Sequence, residues 1–440
     1  MNLTQQLNQA DRAAIGGDLY DFAARLYPIC RSITGNGLRQ TLRMIQERIP
    51  LEIHEVPSGT QVFDWIVPKE WNIRDAYIKD GVGRRIVDFQ ESNLHVVNYS
   101  VPIHFRLPLS ELREHLHSLP SHPDWIPYRT SYYKEDWGFC LSHTQASSLA
   151  EGEYEVHIDS SLANGHLSYG ELLLPGSSSE EILISCHACH PSLANDNLSG
   201  LTVACRLAQL LASTVHRYSY RFLFIPGTIG AITWLSLNRE AASRVRHGLV
   251  LTCIGDRGPF HYKKSRRDSA EIDRAVAHVL KHSEPTATLL PFSPYGYDER
   301  QFCSPGFNLP VGCLMRSVWG SFPEYHTSMD NLQFLDPDSL AGSLQVCASV
   351  FDLLENNRRF TNLAPFGEPQ LGRRGLYPST GGTSPEMELH ARLWTLNLSD
   401  GHHSLLDIAE RSGLPFAAIR ESTELLVQKG LLAPADQAGD

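Results

Sequence analysis

The chain has 440 residues, of which 42 % are apolar and 20 % charged, the composition of a globular protein with a substantial core. At about 150 residues per domain, this length predicts two or three domains. The net charge of −11 disfavours a general nucleic-acid binder, which needs a basic surface. No apolar run is long enough to span a bilayer, and the first residues lack the basic start and apolar core of a signal peptide. The nine cysteines are scattered along the chain, several of them in apolar segments. Together with the lack of a spanning segment and of a signal peptide, they predict a cytoplasmic protein with reduced thiols.

The order of predicted elements indicates an α/β protein with two additions. Residues 12–48 have helical spacing of apolar residues, interrupted by the loop RSITGNG. From about residue 153, buried strands alternate with helices, which predicts a three-layer domain with a mainly parallel sheet. Short alternating strands before this point predict a β-rich insert, and a Pro- and Gly-rich stretch precedes three short helices with winged-helix spacing. The predicted boundaries are 1–58 with 151–362 for the α/β domain, 59–150 for the insert, 363–385 for a linker and 386–440 for the winged helix.

The segment SCHACHPSLANDNLSG, at 185–200, carries the densest set of chemically active side chains. His187 and Asp196 are of the types that bind zinc, and Asp256 and His326 follow later predicted strands. Because the carboxyl ends of parallel strands meet at one edge of a sheet, we expect these four side chains to converge there. The sequence therefore predicts a metal site made of His187, Asp196, Asp256 and His326.

Two alternatives remain open within the same segment. His190, three residues after His187, can chelate a metal from a loop, although a His-Pro pair also marks turns. Cys186 and Cys189 raise a thiolate zinc site, but the chain has no second cysteine pair to complete four ligands.

These residues resemble the metal-ligand series of the M28-type zinc aminopeptidases. A bacterial aminopeptidase-like branch with an inserted β-rich domain and a C-terminal winged helix is more similar still, through blocks such as RSITGNG, CHPSLANDNLSG and YDERQFCSPGFNLPVG. The resemblance covers nearly the whole chain. It implies a zinc-aminopeptidase-like fold in which His187, Asp196, Asp256 and His326 are ligands.

The sequence departs from that family where the resemblance implies paired glutamates, one a metal ligand and the other the general base. Here the stretch FIPGTIG places Gly227 and Thr228 at those positions. With one ligand missing, we expect one Zn²⁺ per chain rather than two. Glu324, close to His326, is the first candidate to replace the base, and Asp298 is the second. The alternatives are an exposed loop acid for Glu324 and an ion pair with Arg300 for Asp298.

Further candidates concern the substrate. Arginines can clamp a carboxylate or phosphate, but each can equally pair with an acidic side chain, and aromatic residues can wall a pocket or simply pack. The candidate substrate-binding residues are Arg31, Arg300, Arg316, Tyr132 and Trp137.

The winged helix is acidic, and its predicted recognition helix offers only Arg420 and Lys429 as cations. Nucleic acid is therefore not its expected partner, and contact with a protein, including a homo-oligomer formed through the insert or the winged helix, is favoured. The predicted function is hydrolysis of an amide bond, aminoacyl or acyl, in a small molecule or short peptide by metal-activated water. The alternative is an inactive aminopeptidase-like scaffold that acts through its winged helix as a binding or regulatory protein.

Overall fold

A computed structural model describes residues 3–377 and 386–435, so parts of the predicted linker and the extreme C-terminus lie outside the described residues. Three helices open the chain: Leu3–Gln9, Arg12–Leu26 and Asn36–Gln46. The second begins after Asp11, whose carboxylate accepts hydrogen bonds from the backbone N–H groups of Ala13 and Ala14. The helices Arg12–Leu26 and Asn36–Gln46 pack their buried leucines on one face of the central sheet.

The central sheet has eight strands, and its middle is parallel. In spatial order the strands are Glu52–Pro57, His166–Leu174, Ser219–Ile225, Glu181–His187, Val245–Leu251, Val311–Met315, His261–Lys263 and Thr288–Leu290. The four strands from Ser219–Ile225 to Val311–Met315 run parallel, so their carboxyl ends lie along one edge. The predicted mainly parallel sheet is confirmed.

Helices cover both faces of this sheet. They are Gly200–Ala212, Ile229–Leu237, Arg239–Arg244, Glu271–Ser283, Glu299–Phe302 and Pro337–Asn356. Along Glu181–His187, Ile182 and Ile184 belong to one apolar cluster and Leu183 to the other, because successive strand residues point to opposite faces. Two apolar cores on either side of one sheet make the three predicted layers. Among the described residues, none of the helices combines the length and apolarity needed to cross a bilayer.

The β-rich insert forms a separate antiparallel sheet. Its strands, in spatial order, are Arg85–Asp88, Glu70–Lys79, Glu153–Ala163 and Ile103–Pro108. Two further two-stranded sheets lie in the insert: Gln61–Val62 pairs antiparallel with Trp65–Ile66, and Leu116–His117 pairs parallel with Phe139–Cys140. Short helices at Leu109–Leu112 and His143–Ser147 accompany them. The strand Glu153–Ala163 lies in this sheet, and the chain then turns directly into His166–Leu174 of the central sheet.

The C-terminal module combines helices Glu386–Leu398, Leu405–Ser412 and Phe416–Gln428 with a three-stranded sheet of Arg359–Asn362, Asp400–Ser404 and Leu432–Pro434. The first of these strands precedes the predicted linker. Phe416 and Ile419, on the helix that would read DNA in a winged helix, are buried in the same apolar cluster as the central domain. Arg274 of that domain forms ion pairs with Asp407 and Glu410. The module is thus packed against the central domain through its second and third helices.

One contact of this interface predicts a pH-dependent stability. The Phe416 backbone N–H donates to Nε2 of His278 at 3.0 Å, and burial, with smaller contributions from His282 and Lys281, lowers the pKa of His278 to about 4. In the unfolded chain the same imidazole has a pKa of about 6.5, so the unfolded state takes up a proton first and stability falls as the pH drops from about 7 towards 4. We expect His278→Gln, which cannot be protonated, to lose part of this fall in melting temperature between pH 7 and pH 5. Parallel pH profiles for the two proteins would contradict the assignment.

Candidate metal centre

The strand Glu181–His187 ends on a histidine whose side chain is fully buried. His187 Nε2 lies 2.7 Å from Oδ1 of Asp196, which stands on the turn before the helix Gly200–Ala212. On the other side of the same carboxylate, Nε2 of His326 lies 2.9 Å from Oδ2. Asp196 is therefore held between two imidazoles that come from residues far apart in the sequence.

His190 is the third histidine of this cluster. One donor atom each of His187, His190 and Asp196 lies within 4.8 Å of the others, and all three residues are buried. The His190 ring lies 5.1 Å from the His326 ring, measured between centroids. The sequence contains the signal for His190, its spacing of three residues from His187, but that spacing alone does not separate a ligand from a turn residue.

Burial and neighbouring groups shift the pKa values of three members of the cluster. Burial lowers the pKa of both His187 and His190, which favours neutral imidazoles. Burial alone would raise the pKa of Asp196, but the surrounding histidines His190, His187 and His326 outweigh it and hold the pKa well below its usual range. Neutral imidazoles and an ionised carboxylate are the ligand forms that zinc requires.

A second layer of contacts orients the ligands. The carboxylate of Asp330 accepts hydrogen bonds from the backbone N–H groups of Asn195, at 2.6 Å, and Asp196, at 2.9 Å, and burial raises the pKa of Asp330 to about 8. The Tyr325 ring stacks on His326 with 3.9 Å between centroids. Asp330 lies in the same segment, EYHTSMDN, as His326, but nothing in the sequence distinguishes it as a support for Asp196.

The structure does not bring Asp256 to this cluster. Its carboxylate accepts hydrogen bonds from Nδ2 of Asn195 at 2.8 Å, from the Gly258 N–H at 2.6 Å and from the Ser317 hydroxyl at 2.7 Å. These bonds tie together the loops that follow three strands, Glu181–His187, Val245–Leu251 and Val311–Met315, a structural role that the position of Asp256 after a strand does not reveal.

The two candidate bases occupy different surroundings. Asp298 is fully buried; its Oδ1 accepts from the Thr228 N–H at 2.6 Å, its Oδ2 has no partner within residues 3–377 and 386–435, and burial raises its pKa to about 7. No hydrogen bond or ion pair joins the half-buried Glu324 carboxylate to the cluster in the described part of the chain. The structure thus places Asp298, rather than Glu324, against the Gly227–Thr228 turn.

The three arginines differ in the same way. Arg31 is buried, and its Nε donates to the His190 carbonyl at 2.7 Å. Its Nη2 has no partner among the described residues, and burial lowers its pKa to about 10. Arg316 donates to Ser343 and to backbone carbonyls and stacks on Phe260. Among the described residues, Arg300 makes no ion pair with Asp298. Only Arg31 contacts a residue of the cluster.

An aromatic residue of the insert packs directly on the cluster, but it is Tyr128 rather than the predicted Tyr132 or Trp137. The Tyr128 N–H donates to the His326 carbonyl at 2.7 Å, and the Tyr128 ring meets the rings of His190 and His326 edge-on at 5.2 and 5.0 Å. The hydroxyl of Tyr132 lies 3.0 Å from that of Tyr128, one step further out. Trp137 stacks on His115 inside the insert instead. The residue that the sequence missed, Tyr128, carries no motif of its own.

Comparison with known proteins agrees with this architecture. A family described as a domain of unknown function, DUF4910, matches residues 20–357, and a winged helix-turn-helix family matches residues 358–434. The chain belongs to the DUF4910 family. The predicted aminopeptidase-like fold with a C-terminal winged helix is confirmed.

A curated relative of this DUF4910 protein and a similar crystal structure both come from Clostridium acetobutylicum. One, 51 % identical over 418 residues that cover 95 % of this chain and 96 % of the relative, is provisionally named a polysaccharide biosynthesis protein with an aminopeptidase-like domain. A crystal structure provisionally named a peptidase is 48 % identical, covers 98 % of this chain and 100 % of that one, and superposes with a TM-score of 0.93. A zinc aminopeptidase from Bacillus subtilis shares the fold, with a TM-score of 0.55 at 11 % identity over 76 % of this chain and 94 % of that one.

The residues present fit a zinc ion. His187, His190, His326 and Asp196 offer imidazole nitrogens and a carboxylate, the donors that zinc prefers, and all of them except His326 are buried. This donor set makes the cluster a candidate metal site.

Proposed function

We propose that this protein is a zinc-dependent hydrolase that cleaves an amide bond in a small molecule or short peptide. The observation that carries the proposal is the convergence of His187, His190 and His326 on the single carboxylate of Asp196. A buried carboxylate held between imidazole nitrogens from distant parts of the chain makes a strong ligand set for zinc.

In this proposal the four cluster residues hold one zinc ion. When bound, zinc would polarise the carbonyl group of the substrate and lower the pKa of a water molecule. Asp298, the buried carboxylate at the Gly227–Thr228 turn, accepts a proton and passes it to the leaving amine. Tyr128 limits the space above His190 and His326, so the bond to be cleaved enters past the insert.

The name of the Clostridium acetobutylicum relative supports a substrate class to test first. The name links that relative to both polysaccharide biosynthesis and an aminopeptidase-like domain, which favours amides carried on amino sugars as substrates to test, besides aminoacyl amides.

All nine cysteines are free, and eight of them are buried, which supports our proposal of a cytoplasmic location.

The test combines metal analysis with a substrate panel. We expect about one zinc per chain in the purified protein and hydrolysis within a panel of aminoacyl amides, acyl amides and N-acyl amino sugars. Asp338→Ala, which removes an exposed partner of Arg12, is the matched control and should keep both properties. Protein that binds no zinc after reconstitution would contradict the proposal.

The rival function, a binding protein that acts through the winged helix, makes a different prediction. We expect no salt-dependent affinity for duplex DNA in the micromolar range, because the recognition helix is packed on the central domain and carries few cations. Fluorescence polarisation with labelled duplexes at two salt concentrations measures this. Tight binding that weakens with salt would favour the rival.

A further inference from the structure

The turn at Gly227 leaves no room for a side chain, because a tyrosine from another segment occupies the space. A Cβ atom added to Gly227 would lie 2.6 Å from the hydroxyl oxygen of Tyr297 and 2.9 Å from its Cε1. Real Cβ atoms do not approach other heavy atoms so closely. Glycine is needed here because Tyr297 fills the space, not because of an unusual backbone conformation.

Tyr297 reaches this space by lying against the metal cluster. Its ring stacks on the His187 imidazole, with 3.8 Å between centroids and 32° between planes. The nitrogen of His187 that faces Asp196 is Nε2, so rotation of this imidazole would break the 2.7 Å contact with Oδ1. A flat ring packed on the imidazole restricts that rotation.

The segment that carries Tyr297 is itself firmly attached. The Tyr297 N–H donates to the Glu299 carboxylate, and Glu299 forms a buried ion pair with Lys263, with 2.7 Å between Oε1 and Nζ. The next residue, Asp298, accepts the Thr228 N–H at 2.6 Å. Residues 297–299 are therefore tied both to the Gly227–Thr228 turn and to the strand His261–Lys263, which leaves the Tyr297 ring little freedom to move.

We propose that Tyr297 is a positioning residue of the metal centre, that it fixes the His187 ring for metal binding, and that Gly227 is the residue that makes room for it. The inference rests on the proposed zinc site. It explains why a glycine stands where the sequence analysis expected a carboxylate: the space belongs to a side chain from residues 297–299.

The test is a double-mutant cycle read out as zinc affinity by chelator competition on the full chain. Tyr297→Leu should weaken zinc binding by about 10–100-fold, the usual cost of losing a residue that orients a ligand, whereas Tyr297→Phe keeps the ring and should stay within about threefold of the native protein. Gly227→Ala should weaken binding similarly, because the methyl group displaces Tyr297. In the Tyr297→Leu background, Gly227→Ala should cost nothing more.

Gly17→Ala is the matched control, since a Cβ there meets no atom within 4 Å. The Co²⁺-substituted proteins give a second readout: Tyr297→Leu should change the visible absorption bands of bound cobalt, which a purely structural role would leave unaltered. Native affinity in Gly227→Ala or Tyr297→Leu, or an equal cost of Gly227→Ala in both backgrounds, would overturn the inference while leaving the zinc site intact. A native protein that binds no zinc would instead overturn the proposed function.

Discussion

Asp196→Ala is expected to abolish zinc binding and, with it, all hydrolysis. Asp196 is the one carboxylate between His187 and His326, and its removal leaves buried imidazoles with no anion to offset the charge of the metal. Asp196→Asn keeps the size and one oxygen but loses the charge, so we expect zinc affinity to fall by at least about 100-fold. Metal content after dialysis and affinity by chelator competition measure both effects.

Asp256→Asn separates a ligand from a structural carboxylate. It retains the oxygen that accepts from the Gly258 N–H and the Ser317 hydroxyl but loses the acceptor for Nδ2 of Asn195, so we expect a lower melting temperature with zinc bound at about the native affinity. Loss of zinc from Asp256→Asn would contradict the centre described above and would support the ligand set implied by family resemblance, which includes Asp256.

Asp298→Asn is expected to lower turnover by about 10²–10⁴-fold while zinc stays bound, the usual contribution of general acid–base catalysis. The carboxylate is buried, one of its oxygens is unpartnered, and its pKa of about 7 lies where a proton acceptor works near neutral pH. Because the ionised form accepts the proton, native turnover should rise between about pH 6 and pH 8, and Asp298→Asn should lose that rise. The comparison uses initial rates on the best substrate of the panel.

Glu324→Gln is the companion variant, since the sequence analysis ranked Glu324 first for its closeness to His326. The structure shows no contact between the Glu324 carboxylate and the cluster within the described residues, so we expect a change of less than about threefold. A large loss in Glu324→Gln together with native turnover in Asp298→Asn would reverse the assignment.

The fold was accessible from the sequence because its signals are local. Alternating buried strands and amphipathic helices predict the parallel sheet, and the rule that strand ends share one edge is enough to associate His187, Asp196 and His326. The strand Arg359–Asn362 was missed because its pairing partners lie some 40 and 70 residues later, in Asp400–Ser404 and Leu432–Pro434.

Side-chain partners across the site were less accessible, because tertiary contacts decide them. Asp256 and Asp298 look alike in the sequence, yet the Asp256 carboxylate accepts four hydrogen bonds, whereas one buried oxygen of Asp298 has no partner among the described residues. Tyr128 and Tyr297 reach the cluster from the insert and from a distant loop, and neither lies in a motif. The sequence did show that Gly227 stands where the family resemblance implies a glutamate. It did not show that Tyr297 occupies the space that the glutamate side chain would take.

The zinc-edge anomalous signal in crystals of the full chain tests the central claim most directly. We expect a single zinc peak within about 2.0–2.2 Å of donor atoms of His187, His190, Asp196 and His326, with Tyr297 packed on His187. Absence of zinc after reconstitution, or zinc bound by Asp256 rather than by His190, would contradict it.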